Sequence, residues 1–257
     1  MNIVLLGHQD IASNIALSLI VTAMPQHRYS IFLSGAVAPR SAQVTVLAEL
    51  AALERKLCDD LASRGDSRLL PFSALARETG STLQVLARPN SPNGLSRLAD
   101  LRPDLVISVR YRRILQDAAI SIPKFGVLNL HSGLLPDYKG MMATFWAMLN
   151  GEPSIGSTLH YIVDGTIDTG PVVAQACITV DRSRSYLDNV LSLYPDGCGM
   201  VIDTVNRIEG AEEIVPEMQP SAGHYYSAPH GGDIARFQDA GLRLFNGDEL
   251  RRFPGVP

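Results

Sequence analysis

The chain has 257 residues, enough for one large domain with a sizeable core. A formal net charge of −4, 19% charged residues and no basic run argue against a nucleic-acid partner. No apolar run approaches the length of a membrane span, and three cysteines, Cys58, Cys177 and Cys198, without a CxxC pair, fit a reducing cytoplasm and neither a disulfide frame nor a zinc site.

The N-terminal run Met1-Asn2-Ile3-Val4-Leu5-Leu6-Gly7 lacks a basic flank and is expected to be a buried strand over residues 3–6 rather than a signal peptide. A dense apolar helix follows over residues 11–24, ended by Pro25, and then a strand over 29–34. Residues 41–64 read as a long helix with Leu47, Leu50, Leu57 and Leu61 on one stripe and Glu54, Arg55, Lys56, Asp59 and Asp60 toward solvent. Its charged face is a solvated surface or, alternatively, a homodimer contact. A helix over 71–79, a strand over 83–86, a helix over 94–101 and a strand over 105–109 come next. Residues 127–131 form a fifth strand, part of the apolar run from Phe125 to Leu130. Residues 142–149, with the only tryptophan, Trp146, are helical until Asn150-Gly151, and 157–163 are again strand-like.

Strands alternating with helices predict an α/β fold, a Rossmann-like, mostly parallel sheet with helices on both faces. After Val180 the pattern weakens. Residues 185–207 read as one helix interrupted or bent around Pro195-Asp196-Gly197, and residues 233–240 as a short helix. The division expected is a catalytic domain over 1–184 and a helix with a small appendage, with a modest core of its own, over 185–257.

Strand alternation places Asn129 and His131 on one face and Leu130 on the other. Asp168 lies in a Gly- and Pro-marked loop, Asp164-Gly165-Thr166-Ile167-Asp168-Thr169-Gly170-Pro171, that can return a carboxylate toward the first strand. An amide, an imidazole and a carboxylate suffice for acyl transfer without a nucleophilic side chain or a metal: the amide holds an oxyanion, the imidazole moves a proton and the carboxylate orients it. Taken alone, a histidine such as His131 is more often a hydrogen-bonded structural residue than a catalyst, and Asn129 also has a reading as a turn cap and Asp168 as a turn residue. His160, within a strand pattern, is expected to be structural.

The words Asn129-Leu130-His131-Ser132-Gly133-Leu134-Leu135-Pro136-Asp137-Tyr138-Lys139-Gly140, Asn150-Gly151-Glu152, Gly156-Ser157-Thr158-Leu159-His160 and Ile167-Asp168-Thr169-Gly170-Pro171, with Tyr111-Arg112-Arg113-Ile114-Leu115 upstream, resemble the folate-dependent formyltransferases. These use N10-formyltetrahydrofolate as formyl donor. The resemblance implies Asn129, His131 and Asp168 as catalytic residues. It implies Arg113, Ile114, Leu115, Val163, Asp164 and Gly165 at the pterin, although Asp164 reads equally as a turn former. Ser132, Gly133, Tyr138 and Met142 fall on the acceptor side, and residues 141–144 are candidates to line its pocket.

Three departures bear on the acceptor. The glycinamide ribonucleotide enzyme has a Gly- and Ser-rich phosphate loop after its first strand, where this chain has Gly7-His8-Gln9-Asp10-Ile11-Ala12-Ser13-Asn14. The initiator-tRNA enzyme carries a basic C-terminal domain, whereas the tail here holds Glu209, Glu212, Glu213 and Glu217. The usual proline after the catalytic histidine is replaced by Ser132-Gly133. A small-molecule acceptor is therefore expected, an amino sugar nucleotide or an amino acid such as N5-hydroxyornithine. A formyltetrahydrofolate hydrolase, or a glycinamide ribonucleotide formyltransferase, remains the alternative reading, while a dehydrogenase would need a GxGxxG turn that residues 7–14 do not supply.

Overall fold

A computed structural model describes residues 1–35, 45–63 and 69–246 of the chain, apart from the side chains of residues 61–63. The elements in chain order are β1 (Asn2–Gly7), α1 (Ile11–Ala23), β2 (Arg28–Leu33), α2 (Thr45–Ser63), α3 (Phe72–Glu78), β3 (Gln84–Val85), α4 (Pro92–Asp100), β4 (Leu105–Val109), α5 (Asp117–Ile120) and β5 (Val127–His131). They continue with β6 (Lys139–Gly140), α6 (Ala143–Leu149), β7 (Ser154–Ile162), β8 (Val172–Thr179), α7 (Tyr186–Leu191), α8 (Tyr194–Glu209), β9 (Tyr225–Tyr226) and α9 (Gly231–Asp239).

Seven strands form one sheet in the order β3-β2-β1-β4-β5-β7-β8. The first five strands in that order pair in parallel, and β7 and β8 add antiparallel to the β5 edge. The parallel strands read as near-continuous apolar runs because both of their faces are covered. Ile3, Leu5, Leu105, Ile107, Leu128 and Leu130 pack with α1, α7 and α8 in one cluster. Val4, Leu6, Val106 and Val127 alternate to the other face and meet Leu98 of α4 and Ala119 of α5. The parity of Val127 carries Asn129 and His131 to that second face.

From β1 the chain winds outward to β2 and β3, then crosses back to β4 on the other side of β1. Such a reversal leaves a crevice beyond the carboxyl ends of the two central strands. The register Leu6↔Ser108 and Ser108↔Asn129 brings the residues after β1, β4 and β5 to that end together.

Several expectations change. Residues 185–207 are two helices, α7 and α8, separated at Ser192 and Leu193, and Pro195 stands in the first turn of α8 rather than at a bend. A first-turn proline loses no intrahelical bond and arrives with a helical φ, so it starts this helix. Glu54 is not solvated but 4% exposed, since it continues the Leu47, Leu50 stripe at helical spacing. Residues 41–44 and 64 of the expected long helix, and the side chain of Leu61, lie outside the described residues. Edge strand β8, with alternately exposed residues, and the single-turn α5 were not anticipated.

Residues after 185 share the main core. Tyr186, Leu187, Val190, Tyr194, Val201, Val205, Ile234 and Phe237 join the cluster built on Ile15, Leu17 and Leu130. Gly197 of α8 lies so close to the sheet that a Cβ there would sit 3.2 Å from Leu130 and 3.3 Å from the Ser157 hydroxyl. α8 thus backs the strand that carries Asn129 and His131.

Candidate active site

The antiparallel return of β7 beside β5 sets Asn129 opposite His160. The Asn129 Nδ2 and His160 Nε2 atoms are 3.0 Å apart. His160 Nδ1 lies 3.0 Å from the Tyr161 carbonyl oxygen, which can only accept, so Nδ1 carries the proton and Nε2 accepts from the Asn129 amide. That bond uses one of two N–H groups on Nδ2 and leaves the second for another acceptor. His160, expected to be structural, is therefore in contact with the candidate set. Its signal is the register between β5 and β7, which residue spacing does not reveal.

Asp168 arrives from the β7–β8 loop in a left-handed backbone conformation, φ +54°. Its Oδ2 lies 3.5 Å from His131 Nδ1 and its Oδ1 3.5 Å from His160 Nε2. The Gly140 N–H donates to Oδ2 at 2.8 Å. Burial alone would raise the Asp168 pKa, but the neighbouring His131 and His160 rings and the Gly140 N–H more than offset it and hold the carboxyl down at about 2. His131, 8% exposed, donates from Nε2 to the Tyr138 carbonyl at 2.7 Å, which fixes the ring with Nδ1 toward the carboxylate. Amide, two imidazoles and carboxylate thus form one connected group in which the carboxylate is ionised across the neutral pH range.

Two loops flank this group. Leu115 is buried in the core, so only its main chain is available, whereas Ile114 is exposed and its carbonyl accepts from Asn90 Nδ2 at 2.9 Å. Arg113 Nε donates to the Ser34 carbonyl at 3.2 Å. The opposing loop comes so near that a Cβ on Gly165 would sit 2.7 Å from Gln116 Oε1. Across the two loops Ile114, Val163 and Ile167 leave large apolar side chains exposed. Asp164 caps its own turn, accepting from the Thr166 N–H at 2.7 Å and from the Thr166 hydroxyl, and these bonds lower its pKa.

The expected acceptor-side residues divide. Gly133 lies against the imidazole: a Cβ there would sit 2.6 Å from His131 Nε2 and 2.5 Å from Ala143 Cβ, so a side chain is excluded. The Ser132 carbonyl accepts from Thr144 Oγ1 at 3.1 Å. The Tyr138 ring is buried away from His131, its hydroxyl donating to Glu152 Oε1 at 2.7 Å, and it meets the imidazole only through its carbonyl. Met142 takes a left-handed conformation before α6 and packs partly against the core.

Sequence reasoning missed a buried ionic cluster at the same end of the sheet. Arg110 Nε donates to Asp10 Oδ2 at 2.8 Å and its Nη2 to Glu54 Oε1 at 2.9 Å, with Arg112 3.7 Å from Asp10. Asp10 also accepts from the Ser13 N–H at 2.8 Å and caps α1. A carboxylate therefore stands where a helix N-terminus could otherwise hold an anion. Among the described residues no group of three or more His, Cys, Asp or Glu is arranged to hold a metal ion.

Residues 76–190 match the model of the formyl transferase family and constitute a formyl transferase domain. The chain is similar to methionyl-tRNA formyltransferase of Thermodesulfovibrio yellowstonii, 32% identical over 169 residues that make up 65% of this chain and 53% of that protein. It spans about half the length of the curated relatives it matches. Glycinamide ribonucleotide transformylase 1 from Symbiobacterium toebii superposes with a TM-score of 0.61 at 17% identity, over 86% of this chain and 94% of that one. The N-formyltransferase from Helicobacter canadensis, solved with folinic acid and dTDP-3-aminofucose, gives 0.58 at 18% identity, over 88% and 70%. The sheet and its helices are the Rossmann-like fold of the formyltransferases.

Proposed function

We propose that the chain carrying this formyl transferase domain moves the formyl group of N10-formyltetrahydrofolate onto an amine or hydroxylamine nitrogen of a small metabolite. The observation that carries this reading is the Asn129, His131, His160 and Asp168 group at the carboxyl edge of β5, bordered by two loops with unpacked apolar side chains. In this reading the exposed Ile114, Val163 and Ile167 side chains give a flat ring apolar contact, and the main chain of residues 113–115 and 163–165 supplies its hydrogen bonds. The donor supplies a carbonyl carbon bonded to a nitrogen that can depart.

In this reading the second N–H of Asn129 stabilises negative charge on the carbonyl oxygen. His131, with its Nε2 proton held by the Tyr138 carbonyl, turns Nδ1 toward the acceptor nitrogen and Asp168. The proton lost by that nitrogen passes through Nδ1 or the Asp168 carboxylate to the departing nitrogen. Residues 1–184 supply these groups, and Ser132, Gly133 and Met142 border the acceptor.

An amino sugar nucleotide is supported as acceptor by the solved relatives, one holding dTDP-3-aminofucose and another, from Anoxybacillus kamchatkensis, holding UDP-4,6-dideoxy-4-formamido-L-AltNAc and tetrahydrofolate. An N5-hydroxyornithine-like amino acid is the other candidate. Glycinamide ribonucleotide is disfavoured by Asp10, which fills the α1 N-terminus. A transfer RNA is disfavoured by the net charge of −4 and the acidic residues Glu209, Glu212, Glu213 and Glu217.

The test is folate release from N10-formyltetrahydrofolate with amino sugar nucleotides, hydroxyornithine, glycinamide ribonucleotide and methionyl-tRNA in separate arms, against His131→Ala. Release that depends on a small acceptor and is lost in the variant is expected. Release that ignores every acceptor would make the protein a hydrolase, and dependence on methionyl-tRNA would overturn the small-molecule reading.

A further inference from the structure

Residues 217–227 follow α8, far along the chain from the candidate catalytic strand, yet they lie across the loops that deliver Asp168. Glu217 and Val172 exchange two main-chain hydrogen bonds of 2.7 Å at the start of β8. Two residues on, Gln219 Nε2 donates to the Asp168 carbonyl at 3.0 Å and to the Gly170 carbonyl at 2.7 Å. Both Nε2 protons are thus spent on the turn that holds Asp168 at φ +54°, a conformation that a non-glycine residue keeps only when its surroundings impose it. Gln219 Oε1 is buried without a partner among the described residues, an unfavourable feature that the two donated bonds must offset.

The same segment also grips the other end of Asp168. The His224 carbonyl accepts from the Lys139 N–H at 2.9 Å and the Tyr226 carbonyl from the Met141 N–H at 2.8 Å, so β9 pairs with β6. Gly140, between these two, donates its N–H to the Asp168 carboxylate. A Cβ on Gly140 would sit 2.2 Å from the Tyr226 carbonyl, so the two strands are in the closest contact that backbone permits. The Tyr226 ring completes the attachment, stacked 5.5 Å from Tyr138 and 5.0 Å from Trp146. Asp168 is therefore held at its main-chain carbonyl by Gln219 and at its carboxylate by a glycine N–H that β9 fixes.

We infer that residues 217–227 form a clamp that positions the Asp168 carboxylate between His131 and His160, with Gln219 as its positioning residue. The inference rests on the function proposed above, but the clamp has a readout of its own. Gln219→Met keeps the length of the side chain and removes both donors; Gln219→Leu removes them with a shorter side chain, and serves if the first variant fails to fold. In hydrogen exchange, the Gly140 amide is expected to exchange about 10-fold faster or more in either variant, while the β4 amides of Val106 and Ile107 keep their rates. In formyl transfer, kcat is expected to fall about 10- to 100-fold with KM for the donor within about 3-fold, the cost of a carboxylate displaced by up to an ångström.

In an Asp168→Asn background the same change at Gln219 is expected to cost less than about 2-fold more, because the two residues act as one unit. Unchanged Gly140 exchange, or equal losses in both backgrounds, would overturn the clamp. If the unaltered protein transfers formyl to no acceptor, the proposed function fails, and the exchange measurement still decides the clamp.

Discussion

Asn129 presents an N–H outward because His160 takes the other one, and His160 can take it because the Tyr161 carbonyl holds the proton on the far ring nitrogen. In the proposed reaction, Asn129→Ala is expected to lower kcat about 100- to 1,000-fold, the usual loss for one oxyanion donor. His160→Phe keeps a ring in the strand but frees the amide, and is expected to cost about 10- to 100-fold. The double variant should be little worse than Asn129→Ala alone; wild-type kcat in His160→Phe would remove the histidine from the account. That Asn129 and His131 share a face was legible, since two-residue alternation is a property of the strand itself. The place of His160 was not, since it depends on which residue of β7 falls opposite Asn129.

Among the elements, the turn after β4 sets the arginine cluster. Arg110 sits at φ +56° and joins the α1 cap, Asp10, to the α2 stripe, Glu54. Removing the guanidinium would leave two buried carboxyls facing each other, so Arg110→Met is expected to destabilise the fold by about 3–5 kcal/mol in denaturant unfolding. A loss under about 1 kcal/mol would show the cluster to be structurally idle. The strands β1, β4 and β5 and the helices α1 and α4 were readable because each carries its own periodicity and stop signals. Edge strand β8 was not, as one of its faces is half-buried at most. Glu54 was misplaced because its charge was given more weight than its stripe, and a long-range partner made its burial possible.

For the molecule as a whole, acid is expected to act partly through His8. This histidine lies at the end of β1, 9% exposed, with Nδ1 2.8 Å from the Ser34 hydroxyl. Burial, with the charge of Arg112 next, lowers its pKa to about 4 from 6.5. The folded state therefore resists a proton that the unfolded chain accepts. The advantage of the neutral form is full above pH 6.5, declines as pH falls from 6.5 and is exhausted near pH 4, an effect of about 3 kcal/mol. His8→Gln should flatten the decline of unfolding free energy over that interval, and an identical slope in both proteins would exclude His8 as its source.

Composition, alternation and helical periodicity by themselves determined the α/β class, the order of most elements, the shared face of Asn129 and His131 and the loop that carries Asp168, because each depends on neighbours a few residues away. Only the tertiary structure decided the antiparallel edge, the contact of His160, the burial of Glu54 and the union of residues 186–244 with the main core. It alone brought residues 217–227 across Asp168. These depend on register and on partners tens to hundreds of residues away, where local pattern carries no information and packing selects among pairings that the sequence leaves equally open.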